Sequence, residues 1–471
     1  MTTAVRPSVP PPTRAERVDR GKSARAEAPR SSHGAWAPAA GRPDPVATLE
    51  TQAAARLEDL VPIRYGRMLL SPFSFYRGAA AIMAADLADT PESGITVQLC
   101  GDAHLGNFGG LVGPGRRMLF EIGDFDETLP GPWEWDVKRL VASLEVAARD
   151  REWKPRERRA IVLAAAREYR EAMRRFAAMG HLRVWYARLD MDDFLNAVDR
   201  RMPADATTAA RRATARARAK TSHKALRKLT EQVDGRPRFI SAPPLMVRLD
   251  DLVDRAEPAE VEAQIGALLA VYQGSLEPEL RYLLKGYRAV DMARKVVGVG
   301  SVGTRAWIIL LVGVDQDDPL VLQAKEAQPS VLEAHLSKSR YANHGARVVH
   351  GQRFMQASSD VLLGWQRSTG LDGKERDFYV RQLWDGKGSA DVVGMPATRM
   401  ALYGRLCAWT LARAHARSGD RVAIASYLGG GEAFDRAMLE FAGAYADQNE
   451  RDFRELERAV ESGRVRATRG L

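Results

Sequence analysis

The sequence predicts an α+β chain of two lobes, a mainly helical one that comes first and is completed by the C-terminal segment, and a strand-rich one between. Three observations carry this. From Val290 to about Leu383, short runs rich in Val, Ile, Leu and aromatic residues alternate with turn formers, the pattern of antiparallel strands. From Trp135 to about Met179, and again from Ala397 to Ser418, apolar residues recur at three- and four-residue spacing, the pattern of helices on a core. Inside the first helical part, two mostly apolar runs, Ile95 to Leu99 and Met118 to Ile122, enclose a polar, Gly-rich loop.

Residues 1–45 are rich in Pro, Ala, Arg and Ser without apolar periodicity, which predicts a disordered tail. A helix pair is expected from Val46 to Leu87. Its dense part is Arg64-Tyr65-Gly66-Arg67-Met68 and Phe73-Ser74-Phe75-Tyr76-Arg77-Gly78, whose arginines either reach phosphate or pair with carboxylates at the core edge.

The segment Cys100-Gly101-Asp102-Ala103-His104-Leu105-Gly106-Asn107 follows the first apolar run and sets an Asp five residues before an Asn. In phosphoryl transfer a loop Asp takes the proton of the attacking hydroxyl while an Asn on the same loop holds a magnesium ion against nucleotide phosphates. Asp102 is therefore the candidate base. His104 is the second catalytic candidate, with bracing of the loop as its other reading. After the Gly-rich stretch Gly109 to Gly115, the strand Met118 to Ile122 ends in Gly123-Asp124-Phe125-Asp126-Glu127, an acidic turn suited to a second metal contact. The candidate metal ligands are Asn107, Asp124 and Asp126. The histidines show no H-E-x-x-H spacing, so a zinc site is not expected.

This loop resembles that of the aminoglycoside phosphotransferase and choline kinase group, which reads His-Gly-Asp-x-His-x-x-Asn and is followed by an Ile-Asp-Phe/Trp turn. The match is at Gly101, Asp102, His104 and Asn107, then at Ile122-Gly123-Asp124-Phe125 with one inserted residue, while Cys100 stands where the group has its first His. The group also has an Asp that opens a helix bracing the loop, and Asp136 in Gly131-Pro132-Trp133-Glu134-Trp135-Asp136 fits that place. The whole chain also looks like a bacterial domain family of unassigned function carrying the blocks GDAHLGNFG and RKVVGVGSVGTR. The first resemblance implies a protein-kinase-like fold, ATP and Mg2+.

The strand-rich part holds what such a fold would need to clamp a nucleotide. Gly298-x-Gly300-x-x-Gly303 lies between β-rich runs rather than before a helix, which favours a hairpin whose backbone covers phosphates over a dinucleotide-binding turn. Gly298, Gly300, Ser301 and Gly303 are the candidate contacts. Lys325 ends the run Leu320 to Lys325, as a kinase lysine sits on its third strand to pair with the α- and β-phosphates; a solvent-facing edge lysine is the plainer reading. Glu333, the only Glu between Glu326 and Glu375, is the candidate partner of Lys325, although it stands nearer than usual and the pair is expected to be shifted or absent. A second helix is expected from Arg347 to Ser358. Five strands are expected in this lobe, with Leu383 to Gly388 as a hinge.

In the phosphotransferase group a helix ending in Leu-His-Ala precedes the catalytic loop, whereas here Leu411-Ala412-Arg413-Ala414-His415-Ala416 comes far after it. Circular permutation explains both halves: a tail over residues 1–45, a helical catalytic lobe over 46–285, a nucleotide-binding lobe over 286–388 and closing helices over 389–471. Length agrees with roughly three units.

Two cysteines, Cys100 and Cys407, predict a reducing compartment, and the lack of a long apolar run predicts no membrane span, so a cytoplasmic location is expected. The net charge of +10 favours neutral or anionic partners, and with acidic residues clustered only at Asp124 to Glu127 and Asp315 to Asp318, cationic antibiotics are disfavoured acceptors. The arginines and lysines of Ala209 to Lys228 read as a solvated helix face, with nucleic acid as the less favoured partner. The expectation is an ATP-dependent phosphotransferase acting on a hydroxyl of an unknown small-molecule or protein acceptor. A metal-dependent phosphohydrolase, a nucleotide-binding regulatory protein with a kinase-like shell, and transfer of AMP instead of phosphate are the alternatives.

Overall fold

The computed structural model describes residues 10–198, 204–253, 258–296, 298–383, 385–392 and 394–471. Residues 1–9 of the expected tail, Val297 of the Gly-rich run and Trp384 of the expected hinge lie outside them. The strands in chain order are β1 (Thr96–Leu99), β2 (Phe108–Val112), β3 (Met118–Ile122), β4 (Leu129–Pro132), β5 (Thr230–Val233), β6 (Arg236–Phe239), β7 (Met246–Arg248), β8 (Arg288–Lys295), β9 (Ala306–Val312), β10 (Pro319–Glu326), β11 (Gly364–Thr369), β12 (Glu375–Gln382) and β13 (Gly388–Ser389).

The largest sheet has six strands in the order β11-β12-β10-β9-β8-β7, antiparallel throughout. The sequence led us to expect five. The sixth, β7, is only three residues long, too short for an alternating pattern to show, and it is held by pairing Met246 to Lys295 and Arg248 to Ala293. Strand β10 is buried along its whole length because it has a strand on either side and apolar cover on both faces. Alternation sorts those faces. Ile309 and Leu311 of β9, Leu320, Leu322 and Ala324 of β10, and Phe378 and Val380 of β12 pack with Ile265, Leu269 and Tyr272 of the helix Pro258–Gln273. Ile308 and Leu310 of β9 and Val321 of β10 pack on the other face with Ala225 and Leu229 of the helix Ser222–Leu229. The sheet thus draws on strands and helices that precede residue 286, where the sequence places the start of this lobe.

The second body is helical. Its centre is the helix Trp133–Asp150, buried at every position from Trp133 to Ala148 and packed by the helices Pro155–Ala177, Ala397–Ser418 and Ala433–Glu461. The chain is therefore α+β with a helical body before and after the sheet in sequence. Strand β13 pairs with β2, Gly388 opposite Gly110, and so ties the end of the sheet region back to the loop-bearing strands.

Two expectations change at the N-terminal end. Residues 14–27 are not disordered: Thr13 and Glu16 form a capping box on the helix Arg14–Glu27, which packs on the helix Arg421–Leu428. Composition hides this because the contact needs small residues, not large apolar ones; a Cβ on Gly21 would stand 2.2 Å from the Ala423 carbonyl oxygen. The expected helix pair over 46–87 is four short helices, Pro45–Ala53, Val61–Met68, Pro72–Gly78 and Ala80–Ala88. Pro45, Pro62 and Pro72 each sit in a first turn, where a missing N–H costs nothing, and so restart the helix. The basic stretch is likewise two helices, Ala204–Arg218 and Ser222–Leu229, and the second buries Ala225 and Leu229 against the sheet. No helix among the described residues is long and apolar enough to cross a membrane.

Candidate functional site

The loop between β1 and β2 is held by groups distant in sequence. Asp136, in the first turn of the central helix, accepts hydrogen bonds from the Cys100 N–H at 2.8 Å and the Gly101 N–H at 3.0 Å, and His415 Nε2 lies 3.2 Å from the same carboxylate. Gly101 has φ +84°, and a Cβ there would meet the Glu127 carbonyl at 2.3 Å, so the turn admits only glycine. Asn107 Nδ2 donates to the Asp102 carbonyl at 2.9 Å, and the Gly123 N–H donates to the Asn107 carbonyl at 2.7 Å, which ties the loop to the acidic turn after β3.

Asp102 is oriented from one side. Arg139 reaches its Oδ1 through Nε and Nη2 at 2.8 Å, donates to the Tyr76 carbonyl at 2.7 Å and lies 3.9 Å from the Tyr76 ring centroid. Oδ2 lies 3.7 Å from His104 Nε2. His104 itself is buried, its Nδ1 accepts the Gly106 N–H at 3.1 Å, and burial pushes its pKa down to about 3. A neutral ring with one nitrogen spent on the backbone braces the loop. This geometry supports the bracing reading of His104.

The acidic turn meets the six-stranded sheet. Lys325 Nζ donates to Asp126 Oδ2 at 2.7 Å, the Tyr379 hydroxyl to Oδ1 at 2.7 Å, and Ser301 Oγ of the Gly-rich turn to Oδ2 at 3.3 Å. Lys325 and Tyr379 stand directly opposite one another on β10 and β12, on the face turned away from the Pro258–Gln273 helix. Arg381, two residues on and therefore on that same face, donates to the Gly123 carbonyl at 3.3 Å, as does Lys387 at 3.3 Å.

Charges set the protonation states here. Burial alone would raise the Asp126 carboxyl, but the Lys325 charge and the hydrogen bonds from Lys325 and Tyr379 outweigh it and hold the group below its ordinary value. Lys325 is correspondingly raised: burial opposes its charge, and Asp126 overcomes burial. Asp124, whose Oδ1 accepts the Asp126 N–H at 3.1 Å, is pushed up by burial and by the neighbouring Asp126. Burial and the adjacent Arg381 push Lys387 down to about 7.

Of the sequence candidates, the structure brings together Asp102, His104 and Asn107 on one loop, and Asp126, Ser301 and Lys325 in one contact. Gly300 lies beside the Arg77 backbone, a Cβ there standing 3.5 Å from its carbonyl, and Gly303 takes φ +89° against Arg56; nothing lies within 4 Å of a Cβ built on Gly298. Glu333 is not part of the site. It stands 3.9 Å from His344 Nδ1 on a short 3-10 turn, and Lys325 pairs with Asp126 instead. Arg347 of the helix His344–Met355 donates to the carbonyls of Asp126, Thr128 and Gln328 at 2.8 Å each. A cation, not a carboxylate, joins that helix to the acidic turn.

Sequence reasoning missed Arg139, Tyr379, Arg381 and Lys387. Tyr379 and Arg381 had a signal, since they alternate with the apolar Phe378 and Val380. Arg139 had none, being one charge in a helix that reads as core. Among the described residues, no three His, Cys, Asp or Glu side chains gather as a metal-holding group.

A family profile described as "uncharacterized protein conserved in bacteria" (DUF2252) matches residues 56–459. Searches of curated proteins and of solved structures found no match. The matched span holds the loop, the acidic turn, the Gly-rich turn and Lys325, and it covers most of the chain: this protein belongs to that bacterial family.

Proposed function

We propose that the chain is an ATP-dependent phosphotransferase with a circularly permuted, kinase-like arrangement, acting on a hydroxyl of a neutral or anionic acceptor. The observation that carries this is the meeting of Lys325 and Ser301 with Asp126, two residues from Asp124, on a turn hydrogen-bonded to the Asp102–Asn107 loop. These hydrogen bonds join the strand that carries the lysine, the Gly-rich turn, the loop carboxylate's segment and the acidic turn, which supports their acting on one ligand. That is the set phosphoryl transfer needs, because its rate comes mainly from positioning and charge neutralisation.

In this reading Asp102 Oδ2 receives the acceptor proton while Arg139 fixes Oδ1. Lys325 leaves Asp126 for the α- and β-phosphates. The free Asn107 Oδ1, oriented by the bond its Nδ2 makes, and the Asp124 carboxylate are hard oxygen donors of the kind that hold Mg2+ together with substrate phosphates and water. Bound there, Mg2+ would neutralise phosphate charge. The phosphohydrolase alternative would use Asp102, His104, Asp124 and Asp126 without a nucleotide clamp; the tie of His104 Nδ1 to backbone and of Asp126 to Lys325 favours the phosphotransferase reading over it.

The test is turnover of ATP labelled at either the α- or the γ-phosphate, with and without pooled hydroxyl acceptors, in the wild type and in Asp102→Asn. Label leaving from the γ position, lost in the variant while nucleotide affinity and melting temperature stay, is the expected result. Label transferred from the α position would replace phosphoryl with adenylyl transfer. Equal turnover in both proteins would remove Asp102 from the mechanism.

A further inference from the structure

Around the cleft nearly every cation is spoken for. Arg139 is engaged by Asp102 and the Tyr76 carbonyl, Arg347 by three carbonyls, Lys325 by Asp126, and Arg381 and Lys387 by the Gly123 carbonyl. Arg77 differs. Among the described residues it has no hydrogen-bond or ion-pair partner, and its Nε is sealed from water, although the residue as a whole remains partly exposed.

Its place is specific. Arg77 lies near the end of the helix Pro72–Gly78, outside both the loop block and the Gly-rich block. A Cβ on Gly106 of the loop would stand 3.6 Å from Arg77 Nε, and one on Gly300 of the Gly-rich turn 3.5 Å from its carbonyl oxygen. The residue thus has its Nε beside the loop and its backbone beside the Gly-rich turn, and its charge is attracted by Asp102 and Asp124. Asp102 is held through its Oδ1 by Arg139, not by Arg77.

We infer that Arg77 holds the peripheral oxygens of the phosphoryl group while it passes from ATP to the acceptor, an inference that rests on the phosphotransferase reading above. In that step the acceptor oxygen bonds to the γ-phosphorus as the bond from phosphorus to the β–γ bridging oxygen breaks. The bond's electron pair goes to the departing ADP and the acceptor proton to Asp102. Charge spreads over the three peripheral oxygens between loop and Gly-rich turn. A planar guanidinium offers them two parallel N–H donors, which a lysine cannot reproduce. The Nε of this guanidinium is shut off from water without a partner, which costs free energy in the free protein, and an anion in this position would satisfy it.

Arg77→Met and Arg77→Lys test this through ADP formation from Mg2+ and ATP, binding of ADP with and without aluminium fluoride as a mimic of the moving phosphoryl group, and melting temperature with and without inorganic pyrophosphate. We expect Arg77→Met to melt near the wild-type temperature without ligand, because the side chain has no hydrogen bond or ion pair to lose. It should lose about 100-fold or more in turnover, with Arg77→Lys recovering little, and it should lose the extra affinity that aluminium fluoride gives to ADP. Turnover or aluminium fluoride enhancement equal to wild type in Arg77→Met overturns the inference. A lower melting temperature with undiminished turnover per folded molecule also overturns it, by making Arg77 structural. If the wild type turns over no nucleotide, the phosphotransferase reading and the phosphoryl-holding role fall together. Pyrophosphate then shows whether the site is an anion site at all: stabilisation of wild type but not of Arg77→Met keeps Arg77 as its anchor, and equal stabilisation removes it.

Discussion

Lys325, in the middle of the six-stranded sheet, and Asp126, on the turn after β3, meet at 2.7 Å across 199 residues of sequence. Both side chains are largely withdrawn from water, at 4% and 29% exposure, so this pair is not a screened surface bridge. It joins the sheet to the acidic turn and occupies the lysine that the proposed function assigns to nucleotide phosphates.

Removing one partner should therefore be worse than removing both. Lys325→Met is expected to destabilise the fold by about 3 kcal/mol, because it strands a carboxylate, and Lys325→Met with Asp126→Asn should recover part of that. Urea unfolding of the two single variants and the double variant measures it. Additive losses would mean that the two side chains do not act as a pair.

Asp124→Ala should weaken nucleotide binding in the presence of magnesium and leave magnesium-free binding nearly unchanged. Its carboxylate contributes through the metal, not by touching the nucleotide. Titrations with and without the ion separate the two contributions; equal affinities for wild type and variant under both conditions would remove Asp124 from the site.

Groups that act on one bound ligand are non-additive. Asn107→Ala and Lys325→Ala should each depress turnover, and the double variant should fall short of their combined loss by about 1 kcal/mol or more of transition-state stabilisation. Strict additivity would place the loop and the sheet on different ligands.

Lys387 gives the site a pH dependence. Its folded pKa is lowered to about 7 from the 10.5 of a free lysine, so between those values the unfolded chain binds a proton that the folded protein does not. Stability from this group accordingly rises with pH across that window, and the penalty is fully present below pH 7. Lys387→Met should flatten that rise in a melting-temperature series from pH 7 to 10. Phosphate beside Lys387 should draw the proton back, so nucleotide binding at pH 8 is expected to take up protons in wild type and to take up fewer in the variant, as calorimetry in buffers of different ionisation heat would report.

What the sequence determined by itself is what repeats locally. Met118 to Ile122 is the predicted strand to the residue, the runs that became β9 and β10 stand where alternation and β-branched content put them, and the helical period over 135–179 became two helices of the core. The loop from Gly101 to Asn107 was legible because glycine and short polar residues are what a tight, positive-φ turn needs. Choice of partner belongs to the tertiary structure. Asp126 taking Lys325 where Glu333 was the candidate, Arg347 binding the Asp126 carbonyl, Arg139 fixing Asp102, and Gly21 admitting an N-terminal helix against Ala423 all join residues far apart in the chain. A period of 2 or 3.6 says which face a side chain occupies; which charge waits across that face is decided only when the lobes pack, because Coulomb attraction and desolvation depend on distance and burial, and neither is a property of the local sequence.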